Sequence, residues 1–179
     1  ETSGRAFFLY VEDVHEPRAC GDMSVVNTWG PHFPCYELDH EGSLAHRGTF
    51  TTARPLRARF YGILKRSHAA RYLQFDFPRR RSEENYRLVA SIFAASRERL
   101  RSDLGAEDLT VILFPTKGGQ LHRRIVPHLE ALGVPWLDLG GLFAGEEGSD
   151  LGFGEADGHP NPKTQARVAE ALAADLQSL

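Results

Sequence analysis

Ala6-Phe7-Phe8-Leu9-Tyr10-Val11 and Leu109-Thr110-Val111-Ile112-Leu113-Phe114 are the stretches on which the fold turns. Each is a short and almost wholly apolar run, without the alternation of a half-exposed strand. Such runs suit strands covered on both faces, as in a parallel sheet. Between them, Ser82 is placed to cap a long helix that runs to about Leu104. Tyr86, Val89, Phe93, Leu100 and Leu104 fall on one stripe of it, and Gly105 supplies the stop. After the second run, Leu121, Ile125, Leu129 and Leu132 mark another helical segment, which Pro127 bends or delays and Gly133 ends. Trp136-Leu137-Asp138-Leu139 reads as a third strand. Asn161 then caps a last helix with Pro162 in its first position and Val168, Leu172, Leu176 and Leu179 on its buried side. The alternation of strands and helices predicts an α/β fold, with parallel strands joined by right-handed crossovers and helices on both faces.

Two stretches stand outside that alternation. Residues 15–53 show no sustained period and are rich in Gly, Pro and His, so they are expected to form an irregular insertion within a single domain over 1–179, serving as a lid or binding loop. From Pro55 to Arg66, Leu56, Phe60, Ile63 and Leu64 have the spacing of an amphipathic helix whose apolar stripe faces the core and whose Arg and Lys face outward. Arg79-Arg80-Arg81 reads as a solvated loop.

Composition excludes some classes of function. With 179 residues, 41% hydrophobic, 25% charged and a formal net charge of -3, the chain fits one globular domain and offers no electrostatic case for nucleic acid. Its apolar runs fall far below the roughly 20 residues that span a bilayer. Cys20 and Cys35 allow two readings. They form a loop disulfide if the protein is extracytoplasmic and are two reduced thiols if it is not. His15, His32, His40 and His46 match no compact metal-ligand spacing, and no cofactor motif is present, so neither metal nor cofactor is expected.

In open α/β sheets the reacting groups gather beyond the carboxyl ends of the strands. Three segments are expected there: Glu12-Asp13-Val14-His15, Thr116-Lys117-Gly118-Gly119, and Gly154-Glu155-Ala156-Asp157-Gly158-His159-Pro160-Asn161. The last carries the most chemistry. A general base that accepts a proton from a hydroxyl needs a carboxylate on its other ring nitrogen and a rigid mount. Asp157 and His159, two apart on a loop stiffened by Pro160 and the helix after it, can supply both. The plainer alternative is that the two residues only seat the final helix.

Asp157-Gly158-His159-Pro160-Asn161, directly before Arg167-Val168-Ala169-Glu170-Ala171-Leu172, resembles the last sequence block of the SGNH (GDSL-type) hydrolase superfamily. Val134 to Phe143 resembles the strand preceding that block, Leu109 to Pro115 the family's fourth strand and Ala6 to Asp13 its third. The resemblance implies a flavodoxin-like three-layer α/β/α fold and a serine nucleophile after the first strand. It also implies Gly and Asn donors to an oxyanion hole, with His159 as general base and Asp157 as its partner. Where the family's third block reads Gly-x-Asn-Asp, this chain has Tyr10-Val11-Glu12-Asp13, which makes Glu12 and Asp13 the oxyanion or site-lining candidates. An ionised carboxylate cannot donate the hydrogen bond that Asn would.

No Gly-Asp-Ser follows an apolar strand. The nearest lookalike, Gly21-Asp22-Met23-Ser24, has Met in the nucleophile's place. The serine and the first two strands are therefore expected on a segment preceding Glu1, which pairs along the Ala6 strand and covers an edge otherwise prone to association. The resulting expectation is an ester hydrolase or acyltransferase acting on a small-molecule, carbohydrate or lipid ester. The alternative is an SGNH-like binding or assembly module that has lost its nucleophile.

Overall fold

The computed structural model describes residues 4–73, 81–115, 121–143 and 161–177. The chain enters β1 (Arg5–Val11) and passes directly into α1 (Glu12–Cys20) and α2 (Met23–Thr28). A hairpin of β2 (Pro34–Leu38) and β3 (Leu44–Thr49) follows, then α3 (Phe50–Ala53), α4 (Pro55–Arg66) and α5 (His68–Tyr72). The long α6 (Glu83–Leu104) leads to β4 (Asp108–Phe114). A 3-10 turn at Leu121–Ile125 and α7 (Val126–Ala131) lead to β5 (Trp136–Asp138), and a second 3-10 turn at Gly140–Phe143 precedes α8 (Pro162–Gln177).

β1, β4 and β5 form a parallel sheet in the order β1-β4-β5, so the second of the two deciding runs is its central strand. Val11 stands opposite Phe114 and Leu113 opposite Asp138, which brings the carboxyl ends of all three strands level. Because side chains alternate across a strand, β4 feeds two cores. Val111 and Leu113 meet Tyr10 of β1, Tyr86, Val89 and Phe93 of α6, and Leu129 of α7. Ile112 and Phe114 point the other way, to Leu139 and Phe143, where Val168 and Leu172 of α8 pack. Helices thus cover both faces, and the architecture is α/β. Each fully buried aliphatic or Phe side chain here contributes about 1.5–3 kcal/mol.

The helix ends follow their sequence signals. Ser82 Oγ accepts from the Asn85 N–H at 3.3 Å, and Gly105 closes α6 in the left-handed region at φ 65°. Asn161 Oδ1 accepts from the Thr164 N–H at 2.8 Å at the start of α8. Pro127 delays α7, since the α-helix begins only at Val126 after a 3-10 turn.

Several expectations are corrected. Residues 15–53 are not irregular: they hold most of α1, then α2, a hairpin and α3. Asp22 Oδ1 caps α2 by accepting from the Val25 N–H at 2.9 Å, Thr49 and Thr52 form a capping box for α3, and Asp39 Oδ1 accepts from the Glu41 and Ser43 N–H groups in the hairpin turn. These short elements share a third, small core of Val26, Cys35, Phe50 and Tyr61. Cys20 and Cys35 are buried free thiols, so the structure holds no bridge between them. Burial, aided by Glu16 and Asp22, pushes the Cys20 thiol up to about 12.

α4 is rotated relative to its expected orientation. Leu56, Phe60 and Ile63 are 82%, 50% and 62% exposed, while Tyr61 is the fully buried anchor. Leu104, expected on the buried stripe of α6, is exposed at the end of the helix. Tyr61→Ala should therefore destabilise the protein by about 3–5 kcal/mol, as buried aromatic truncations do, whereas Leu56→Ala should change stability by less than about 0.5 kcal/mol. Urea unfolding of the two variants checks this, and similar losses in both would show that α4 packs through its Leu56 face.

Candidate functional site

At the carboxyl end of β1 the chain turns straight into α1, so Glu12 and Asp13 occupy the first helical turn and not a loop. The Glu12 carboxylate is fully buried. Arg81 Nη1 donates to its Oε2 at 3.1 Å, and the Tyr86 hydroxyl donates to its Oε1. Arg81 also pairs with the half-exposed Asp13 through Nη2 and lies 3.9 Å from Glu16. One turn further along α1, buried Glu16 accepts from Asn85 Nδ2 at 2.7 Å and from the Cys20 thiol at 3.8 Å. The cluster joins α1, directly after β1, to the first turns of α6 around three carboxylates and one guanidinium.

Burial is the main cause of the shifts in this cluster. It raises the Glu16 carboxyl, and Glu12 raises it further, against the lowering pull of Asn85 and Arg81. It also raises the Tyr10 and Tyr86 phenols, with Glu12 adding to both. The Tyr10 hydroxyl is buried and has no hydrogen-bond partner among the described residues.

A second pair stands at the carboxyl end of β5. His122 is buried, with Nε2 3.1 Å from Asp138 Oδ1, and its Nδ1 has no partner among the described residues. Asp138 also accepts from Arg123 Nε at 2.5 Å and from the Gly140 N–H at 2.7 Å. Burial opposes ionisation of Asp138, but the Gly140, Arg123 and His122 donors outweigh it and hold the carboxyl below its usual range. A Cβ at Gly140 would stand 2.9 Å from Asp138 Oδ1 and 3.1 Å from His122 Nε2, so the pair needs glycine there. The carboxylate on one ring nitrogen fixes the orientation of His122, while its other nitrogen is enclosed by the protein. Sequence reasoning missed the pair, because His122 and Asp138 belong to different elements and no local motif joins them.

Asp157 and His159 lie outside the described residues, as does Thr116 to Gly119. The helix that follows Asp157-His159 is described. Arg167 of α8 donates to the Leu142 carbonyl and stacks on the Phe143 ring at 5.0 Å, so the start of α8 lies beside the turn that leaves β5. Ser24 is in the first turn of α2, and its hydroxyl donates to Asp22 Oδ1 at 2.7 Å. A cavity of about 380 Å³ opens between the hairpin and the start of α6, lined by Glu37, Arg54, Arg57, Ser82, Glu84 and Asn85 among others. Neither Glu12 nor Asp13 lines it.

Among the described residues no three His, Cys, Asp or Glu side chains come together as a metal site, and no helix is long and apolar enough to cross a membrane. No family model matches the chain, and no curated protein or solved structure shows significant similarity to it.

A carboxyl whose folded pKa is raised stabilises the fold below its ordinary value, about 4.3, and loses that contribution as pH rises through the folded value. Glu16 is such a group. Glu16→Gln should therefore be progressively favoured over wild type as pH rises above about 4. Denaturant midpoints across that range test this, and a difference that is flat with pH would remove Glu16 from the balance.

Proposed function

We propose that the protein is an ester hydrolase or acyltransferase of SGNH type. His159 is the general base, and Asp157 orients it and steadies its protonated form. The observation that carries this reading is the Asp157-Gly158-His159-Pro160-Asn161 block at the entrance to α8. That helix is capped by Asn161, packs on one face of a parallel sheet and starts near the carboxyl end of β5. In sheets of this kind, reacting groups collect at that end. The finer assignment, a flavodoxin-like three-layer SGNH fold, belongs to the same proposal. It is supported by the parallel order β1-β4-β5 and by helices on both faces.

The nucleophilic serine, on this reading, comes from a strand-bearing segment preceding Glu1 that pairs along β1. In support, β1 is an edge strand of the described sheet, with Phe8 and Leu9 37% and 39% exposed. A long apolar edge of this kind invites a further strand. The acyl acceptor is water or an alcohol, and the substrate is a small-molecule, carbohydrate or lipid ester.

One observation favours the second reading, a non-catalytic SGNH-like binding or assembly module. Glu12, at the position where the resemblance would put an Asn oxyanion donor, is buried and occupied by Arg81 and Tyr86. A carboxylate held in this way accepts hydrogen bonds and offers none to an oxyanion.

The two readings separate in the full-length protein assayed on short p-nitrophenyl esters. His159→Ala should lower kcat by a factor on the order of 10⁴ to 10⁶ with the fold intact by circular dichroism, and Asp157→Asn should retain more activity because the base survives. Turnover unchanged in His159→Ala would remove His159 from the mechanism, and no turnover in the wild type would favour the module.

A further inference from the structure

α4 is held to the body by one side only. Tyr61 is buried in the third, small core with Ala58 packed against that core, and Lys65 Nζ donates to the Asn27 carbonyl at 2.5 Å. The helix is therefore fixed in rotation, and its opposite side is committed to the surface.

That outward side carries two adjacent ridges. Leu56, Phe60 and Ile63 form an apolar ridge, and Arg59 and Arg66, spaced by two helical turns, run beside it. Arg59 and Arg66 are exposed and have no ion-pair partner among the described residues. Tyr72, at the end of α5, is also exposed. From Pro55 to Leu73 the basic residues are Arg57, Arg59, Lys65, Arg66 and Arg71, and there is no Asp or Glu, in a chain whose net charge is -3. Positive charge without any acidic residue thus lies on a segment that exposes Leu56, Phe60, Ile63 and Tyr72.

We propose that α4 docks the protein on an anionic lipid bilayer surface, lying in the interface with Leu56, Phe60 and Ile63 at the acyl boundary and Arg59 and Arg66 among the headgroup phosphates. Helices that lie in such an interface combine one apolar side with flanking Lys and Arg. A second copy of the chain is a poor occupant, because an isologous contact would set Arg59 and Arg66 against their own counterparts. Nucleic acid would leave the Leu and Ile side chains without a partner. The proposal does not depend on the esterase reading.

Co-sedimentation with vesicles of phosphatidylcholine, with and without phosphatidylglycerol, tests it. The protein should partition onto the anionic vesicles at least about tenfold more strongly, and the preference should fall as salt is raised. Arg59→Gln with Arg66→Gln should weaken that partition by roughly 25-fold, about fivefold per charge. Leu56→Asp with Ile63→Asp should abolish it while leaving the circular dichroism spectrum unchanged, since both positions are exposed. Four results would each overturn the proposal: equal partition onto both vesicle types, sedimentation with neither, vesicle binding undiminished in the variants, or a dimer by light scattering that Ile63→Asp dissociates. Retention of duplex DNA by the same face in place of vesicles would do so as well.

Discussion

Glu12 has no exposed surface, and its carboxylate is tolerated there because Arg81 and the Tyr86 hydroxyl supply donors to both of its oxygens. Removing one partner of such a buried pair costs about 3 kcal/mol or more, since the other group is left desolvated and unmatched. The pair also fixes geometry. It ties the first turn of α1, directly after β1, to the start of α6, and α6 in turn lays Tyr86, Val89 and Phe93 across β4. The carboxyl end of the sheet, where chemistry is expected, is held together by this polar knot under the apolar layer. Arg81 serves Glu12, Asp13 and Glu16 at once, which makes it the residue through which α1 and α6 are registered.

Much of the frame is legible in the sequence for a simple reason. β4 is apolar at nearly every position because both of its faces are covered, and α6 is long enough for its cap, stripe and left-handed stop to agree. α8 carries Asn161 and Pro162 at its start and packs through Val168 and Leu172. Residues 15–53 were illegible because their elements are short. Four to nine residues give little period to read, and Pro17 sits inside α1, where a proline normally argues against a helix. The order there comes from caps such as Asp22 and Thr49 and from a core shared with Tyr61, none of which is periodic.

The misplaced face of α4 has a different cause. Leu56, Phe60 and Ile63 make a convincing apolar stripe, but the stripe identifies a surface that is apolar and not the surface that is buried. Tyr61, one residue off that stripe, is what the neighbouring elements enclose. At the site, the sequence singled out Glu12 by its position after β1 but not its burial, which depends on Arg81 and Tyr86 arriving from distant parts of the chain. His122 and Asp138 were invisible for the same reason, their pairing being made by the fold alone.

The central functional claim is that His159 serves a serine carried by a strand along β1. Peptide mapping of the full-length protein after reaction with a fluorophosphonate probe tests it most directly. The account predicts a single phosphonylated serine, outside residues 1–179, whose labelling is lost in His159→Ala. An adduct on Ser24 or any other serine within residues 1–179, or no adduct at all, would contradict it.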